Sequence, residues 1–389
     1  MAIRKEDVEA LDMEEEHGEG IAGLDKEAES HAHAASQWQL MWWKFRKHRL
    51  AMAAGLVILC LYVVAIFCEF LAPYSLEHRQ VEYAFAPPQR LRFVSDEGVH
   101  LWPFVYGLKG VRHPETLRKF YVEDPSKKYS LQLFVRGETY HYWGLFKTDL
   151  HLFGVEPGGS LFLLGTDHLG RDLLSRIIYG SRISLTIGLV GVALSFVFGL
   201  VIGVVSGYYG GWIDNVIQRG IEILRSFPSI PLWMALAASL PSSWSPLQVY
   251  MGITVVLSFI GWTGLARQVR GKILSLREED FATAALLAGA SKWRIMTRHL
   301  LPSFMSHIIV SITLAVPGMI LGETSLSFLG LGLRPPVTSW GVLLKEAQNV
   351  QAVAFQPWLL TPVIFVIITV LAFNFVGDGL RDAADPYSR

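Results

Sequence analysis

The sequence predicts an all-α polytopic membrane protein, six membrane-spanning helices carrying one small β-containing insert outside the bilayer. Three observations carry that prediction. Of 389 residues, 51% are hydrophobic and only 17% charged, with a mean hydropathy of +0.35, too apolar for an ordinary water-soluble domain. Six apolar segments, near 50–72, 183–207, 222–240, 249–268, 304–329 and 357–377, are long enough at about 20 residues to cross a bilayer. Between the first two, Lys127 to Val155 alternates polar and apolar residues and is rich in Tyr, Phe and Val, the period and composition of strands.

Residues 1–36 set Glu14, Glu15 and Glu16 among many acids against only Arg4, Lys5 and Lys26. Such a tail cannot bury enough apolar surface to offset its ordering entropy and is expected to be a disordered acidic cytoplasmic tail. It has no apolar core or small-residue cleavage site, so the first membrane helix is expected to serve as the insertion signal. Trp38, Met41, Trp42 and Phe45 then repeat at i, i+3, i+4, i+7, with Lys44, Arg46, Lys47 and Arg49 crowding the end. That pattern predicts an interfacial amphipathic helix over 37–49, followed by the first span at 50–72. Cys60 and Cys68 both fall in that span. Eight helical residues separate them by about 12 Å, too far for a disulfide.

In the second span Gly199, Gly203 and Gly207 form a small-xxx-small ladder suited to close helix contact. The third is interrupted at its start by Pro228 and Pro231 and is expected to be kinked or broken. Lys and Arg set the orientation. Lys44 to Arg49, Arg219, Arg225, and Arg267, Arg270, Lys272, Arg277, Lys292, Arg294 and Arg298 fall on one side, with only Arg334 and Lys345 in the short loops opposite. Both termini are therefore expected in the cytoplasm and the 73–181 loop outside, leaving 182–389 as a five-helix core. Turns are expected at Arg136-Gly137 and Lys147-Thr148. Residues 168–180 place Leu169, Leu173, Leu174, Ile177 and Ile178 largely on one face and Arg171, Asp172 and Arg176 elsewhere, predicting an interfacial helix on the outer face that leads into the second span and whose arginines run against the charge bias.

Catalytic signatures are absent. A phosphate loop requires G-x4-G-K-[ST], but Ile273 follows Gly271-Lys272. The twelve histidines, among them His31, His33, His141 and His151, form no H-E-x-x-H or zinc cluster, and no G-x-S-x-G occurs. No catalytic residue, metal or cofactor of the chain's own is expected, and no nucleic-acid partner. Glu323 stands inside the fifth span. It must face the bundle interior, water or a partner, either lining a pathway or making a structural hydrogen bond.

Glu278 to Pro302 is a polar and small-residue island between the fourth and fifth spans. Glu278, Glu279 and Asp280 suit a helix N-terminus, Ala282, Ala284, Ala285, Leu286, Leu287 and Ala288 continue it, and Gly289 ends it. Ala290-Ser291 turns into a second helical run from Lys292 to Pro302.

Thr283-Ala284-Ala285, then Gly289, then Leu301-Pro302 resembles the E-A-A-x3-G-x9-I-x-L-P signature of permease subunits of bacterial ABC importers, departing from it at Thr283 and His299. Leu164-Gly165-Thr166-Asp167, Gly170-Arg171-Asp172, SLSFLGLG from Ser325 to Gly332, Ser339-Trp340-Gly341 and GDGLRD from Gly377 to Asp382 are similar to the dipeptide and oligopeptide branch. The resemblance covers about 40–72 and 160–389. It implies a type I ABC importer permease in the bacterial inner membrane, paired with a second, paralogous permease. Two cytoplasmic ABC ATPase subunits would carry ATP and Mg, and a periplasmic substrate-binding protein would deliver peptides for alternating access. Residues 278–296 become a coupling helix, with Ala284, Ala285 and Gly289 as contact core, Lys292 and Arg294 as peripheral ionic contacts, and Thr283, Leu301 and Pro302 completing the signature. Oligosaccharides, opines or nickel are alternative cargoes in the same architecture, and a non-transport scaffold or sensor is the remoter alternative. The insert at 85–155 is expected to dock the binding protein or to cover the outer mouth, on the strength of Tyr140, Tyr142, Trp143 and Phe146.

Overall fold

The structure is a computed structural model that describes residues 37–385 apart from 96–97, 116–118, 157 and 242; the acidic tail expected over 1–36 lies outside the described residues. Helix α1 (Gln37–Lys47) turns Trp38, Trp42 and Trp43 outward and buries Phe45 against Ala51 and Ala383. His48 separates it from α2 (Arg49–Ile66), accepting a hydrogen bond at Nδ1 from the Ala51 amide at 3.1 Å. A short α3 (Cys68–Leu71) follows. Cys60 and Cys68 are both free thiols.

The insert is a four-stranded antiparallel meander, β1 (Arg92–Ser95), β2 (Gly98–Arg112), β3 (Lys119–Tyr142) and β4 (Phe146–Val155), paired in chain order. The first two strands were not expected, because Gly98, Pro103, Gly107 and Gly110 interrupt their alternation. Neither expected turn forms. Arg136-Gly137 opens an irregular stretch within β3, where Gly137 leaves room for the ring of His151, 2.8 Å from where a Cβ would lie. Lys147 and Thr148 are paired strand residues opposite His141 and Tyr140. The chain turns instead at Trp143-Gly144, closed by the Leu145 amide donating to the Tyr142 carbonyl at 2.9 Å. His151, buried, faces the carbonyls of Ala72 and Glu138 with its two ring nitrogens at 2.6 and 3.0 Å and fastens the sheet to the end of α3.

Helix α4 (Leu173–Tyr209) runs for 37 residues from an Asp172 cap. Of the interfacial helix expected over 168–180, residues 168–172 form a turn and the rest is helical as the first turns of α4, where Leu173, Arg176, Ile177 and Gly180 are buried in the protein. The reason is electrostatic. Arg171 and Arg176 are neutralised by Asp167 and Glu346, so they pack inside the protein and do not rest among headgroups.

The third apolar segment is broken at Phe227-Pro228 into the end of amphipathic α5 (Gly211–Ser226) and apolar α6 (Ser229–Ala238). With ten residues, α6 is about 15 Å long, half a hydrocarbon core. Helix α7 (Pro246–Leu276) starts on a Ser245/Gln248 capping box. Its packing on α4 uses the glycine ladder: a Cβ at Gly203 would sit 2.7 Å from the Ala266 carbonyl, and one at Gly207 2.8 Å from that of Arg270.

The rest comprises α8 (Asp280–Leu287), α9 (Lys292–Arg294), a π-wound stretch Ile295–Leu300, α10 (Leu301–Ser303), α11 (Met305–Phe328), α12 (Trp340–Glu346), α13 (Val350–Phe355) and α14 (Thr361–Ala384). Among the described residues five helices are long and apolar enough to cross a membrane, built around α2, α4, α7, α11 and α14. Leu185, Ile187, Leu257, Ile320 and Trp340 are the fully buried centre of their shared core. The sheet stands at one end of this bundle; the other, the basic end, gathers Arg219, Arg225, Arg270, Lys272, Arg277, Lys292, Arg294 and Arg298 from α5, the end of α7 and the connection that follows it.

Candidate functional site

At the basic end, the chain leaves α7 through an elbow. Asp280 in the first turn of α8 suits the positive helix terminus. The elbow itself is a Schellman turn, in which the Ala290 amide donates to the Ala285 carbonyl and the Gly289 amide to that of Leu286, both at 3.0 Å. Gly289 takes φ +80° to make it. Ser291 then caps α9, accepting from the Arg294 amide at 3.3 Å. Before Pro302 the winding widens: the Leu301 amide donates five residues back, to Met296. A proline ring clashes with the carbonyl four residues before it, and the π-wound stretch accommodates that clash at Arg298.

Ala282 is buried, and Ala285, Ala290 and Leu301 half-buried, against Val269, Ile273, Ile295 and Leu300 of the bundle. Thr283, Ala284, Gly289, Lys292, Arg294 and Pro302 are exposed. The small-residue face of α8 is thus divided: Ala285 turns inward, Ala284 and Gly289 outward. Lys292 places its ammonium 5.4 Å from the Tyr209 ring centroid. The large apolar residues at the surface are Phe281, Leu286, Leu287 and Trp293, which sequence reasoning did not single out. Their signal was present in the spacing, since Ala282 and Ala285 at i, i+3 take the inward stripe and leave these outside.

The elbow rests on a rigid base. Asp214 of α5 receives two hydrogen bonds from Arg270 of α7, each 2.5 Å, and one from Ser206 of α4 at 2.5 Å. Those bonds, Arg270 first, hold its carboxyl below the usual range. Arg277 donates to the Gly207 and Tyr208 carbonyls at 3.1 and 3.3 Å, closing the end of α4. Between α4, α7 and α11 runs a cleft of mixed lining, in which Ser195, Gln268 and Ser311 stand beside Val192, Phe196, Leu265 and Ile312.

At the sheet end the turn before α4 is a knot of charge. Fully buried Asp167 accepts from the Leu169 and Arg171 amides at 2.8 and 2.9 Å, and from Arg171 Nε and Arg176 Nη1, both at 2.6 Å. Glu346 at the end of α12 takes Arg176 at 2.8 Å and lies 3.4 Å from His168. Burial pushes the Glu346 carboxyl up, but His168 and Arg176 outweigh it and hold it below the usual range. Asp172, which caps α4 through the Ser175 amide and hydroxyl at 2.7 Å, is pushed up to about 6 by burial. Asp167, His168 and Glu346 present ligand atoms within 4.8 Å of one another, close enough for a cation; the two guanidiniums already supply that positive charge.

Glu323 is fully buried. It accepts from the hydroxyls of Ser339 at 2.6 Å, Ser327 at 2.7 Å and Ser184 at 3.4 Å. Each of those hydroxyls accepts in turn from a backbone amide, of Val342, Leu333 and Trp340 respectively. The carboxylate thereby orients the cap of α12, the loop after α11 and the contact between α4 and α12. Glu323→Leu should therefore destabilise the protein by about 1–3 kcal/mol for each buried hydroxyl left unpaired, while Glu323→Gln, which keeps an acceptor oxygen, should cost less. Thermal unfolding in detergent measures both; equal losses would exclude this hydrogen-bonding role.

The family described as "binding-protein-dependent transport system inner membrane component" matches residues 199–389. The "N-terminal TM domain of oligopeptide transport permease C" matches 36–88. The oligopeptide transport system permease protein OppC of Haemophilus influenzae is 42% identical over 244 residues, 62% of this chain and 76% of that one. The dipeptide transport system permease protein DppC of Lactococcus lactis subsp. cremoris is 32% identical over 368 residues, 94% of this chain and 95% of that one. The glutathione transport system permease protein GsiD of Pectobacterium atrosepticum is 32% identical over 349 residues, 90% of this chain and 91% of that one.

Proposed function

Because the chain belongs to the family of binding-protein-dependent transport system inner membrane components, we propose that it is the membrane-spanning permease subunit of an ATP-driven type I importer that moves peptides across the bacterial inner membrane. It would pair with a second, paralogous permease, receive cargo from a periplasmic binding protein and draw on two ABC ATPases that hold ATP and Mg. The basic end would face the cytoplasm, with both termini, and the sheet the periplasm.

One observation supports this reading most: the Asp280–Arg294 elbow, braced on α4, α5 and α7 yet exposing Phe281, Leu286, Leu287 and Trp293. Large apolar side chains clustered outside a bundle fit a partner groove. The π-wound joint at Ile295–Leu300 links that surface to α11, and α11 lines the cleft through Ser311 and Ile312. Movement of a partner ATPase would reach the cleft by this route, opening it alternately to either side. Glu323 would hold the outer half of α11 to α12 and take no part in conducting cargo.

Peptide cargo rests on relatives whose names specify dipeptides, oligopeptides and glutathione. The test is reconstitution of the chain with its partner permease, the ATPases and the binding protein in liposomes. ATP hydrolysis and uptake should rise with loaded binding protein, and short peptides should load it. Uptake driven by an oligosaccharide, opine or nickel would replace the cargo; failure to retain ATPase subunits would defeat the importer reading.

A further inference from the structure

The geometry points to a membrane contact made by the sheet itself: the β3–β4 turn, through Leu145 and Phe146, enters the lipid headgroup and upper acyl layer beside the end of α2. Three observations place it there.

The first is depth. Helix α2 has 18 residues, about 27 Å at 1.5 Å per residue, which matches a hydrocarbon core of about 30 Å. Arg49 and the basic turn before it fix one end at an interface, so Ile66 must lie at the other. The turn is fastened to that residue: Trp143 Nε1 donates to the Ile66 carbonyl at 3.1 Å, and the Tyr142 hydroxyl lies 3.4 Å from the same oxygen. Amphipathic rings at this level, with a polar atom on the helix end and the ring body in lipid, are the usual interfacial anchors.

The second is the construction of the turn. Trp143 at φ 51° and Gly144 at φ 73° are the left-handed pair at the centre of the three-residue connection between paired Tyr142 and Phe146, and a bulky residue in left-handed backbone costs roughly 1–2 kcal/mol. What holds it is Arg182, whose guanidinium lies 4.3 Å from the Trp143 ring centroid while pairing with Glu69. A hairpin joined by Asn-Gly would lack the side chain that holds it down on α2. The conformation that seats Trp143 leaves the next residue, Leu145, 81% exposed, with Phe146 also outward.

The third is continuity. Leu56, Leu59, Val63, Ile66 and Phe67 are exposed along α2 and just past its end, and the Phe67 ring lies 6.2 Å from that of Tyr142, itself 5.3 Å from Phe146. The apolar turn thus extends a surface whose only solvent, over the length of a span, is lipid. An apolar hairpin tip of this kind, buried with its neighbours in the interface, would keep the sheet from swinging away from the bundle.

The test is a depth measurement on the full-length chain in phosphatidylethanolamine/phosphatidylglycerol nanodiscs. With Cys60→Ala and Cys68→Ala as background, a spin label is placed by Leu145→Cys and, in a second variant, Phe146→Cys. Leu59→Cys is the membrane reference and Lys109→Cys, on exposed β2, the aqueous one. Collision with oxygen relative to a water-soluble nickel chelate should be several-fold higher at 145 and 146 than at 109, and approach the ratio at 59. A ratio equal to that at 109 would place the turn in water, and low collision with both reagents would place it against another protein; either overturns the assignment.

Discussion

Replacing Asp167 with alanine should destabilise the protein by about 3–5 kcal/mol, the usual consequence of removing one partner from a buried ion pair. The carboxylate satisfies two guanidiniums and two backbone amides at once. Arg176 is only 2% exposed, so it cannot turn to water when its partner is lost, and Glu346 would be left to balance both arginines. The turn that starts α4 and the end of α12 would loosen together, because this knot is their main polar link. Asp167→Asn should cost less than Asp167→Ala, since an amide oxygen still accepts from the Leu169 and Arg171 amides although the charge is gone. Unfolding temperature in detergent, read alongside the yield of inserted protein, ranks the variants; a wild-type unfolding temperature for Asp167→Ala would show that the knot carries no stability.

The same knot explains what could be read from the chain and what could not. Five of the six expected span positions were legible because twenty apolar residues have one use in a bilayer, and the break in the third segment followed from Pro228. The fate of Arg171 and Arg176 was not. Their neutralising Glu346 lies 170 residues beyond Arg176, and without it their charges suggest a surface helix. The β3–β4 turn escaped for a related reason: Trp143 takes a left-handed conformation that its residue type disfavours, held by contacts to α2 and α4 that local sequence does not show. In the elbow, Gly289 and the two helical runs around it were legible from capping chemistry. Which face of α8 looks outward was not, because Ala282 and Ala285 could serve close approach to the bundle or to a partner equally well. The packing against Ile295 and Leu300 decides for the bundle.

That placement sharpens the expected outcome of changing the elbow. Gly289→Leu should abolish most coupling between ATP hydrolysis and uptake while the protein still inserts. No atom lies within 4 Å of a Cβ built at Gly289, so the effect does not need a clash of that Cβ with the chain itself. It comes from φ +80°, which a leucine leaves for right-handed backbone, breaking the Schellman bonds and swinging α8 away from Ser291. Gly289→Asn, which tolerates the left-handed region, should retain far more transport than Gly289→Leu although both fill the same open space. Leu287→Asp then separates backbone geometry from surface chemistry. Leu287 is 84% exposed and contributes little to the fold, so unfolding should be unchanged. A charge in the centre of an apolar docking face should nonetheless weaken ATPase association at least tenfold, about 1.4 kcal/mol. Co-purification of the ATPases and uptake into proteoliposomes measure both variants. If Leu287→Asp bound the ATPases normally and Gly289→Leu transported normally, the elbow would be an ordinary loop of the bundle, and the coupling surface would have to be sought elsewhere at the basic end.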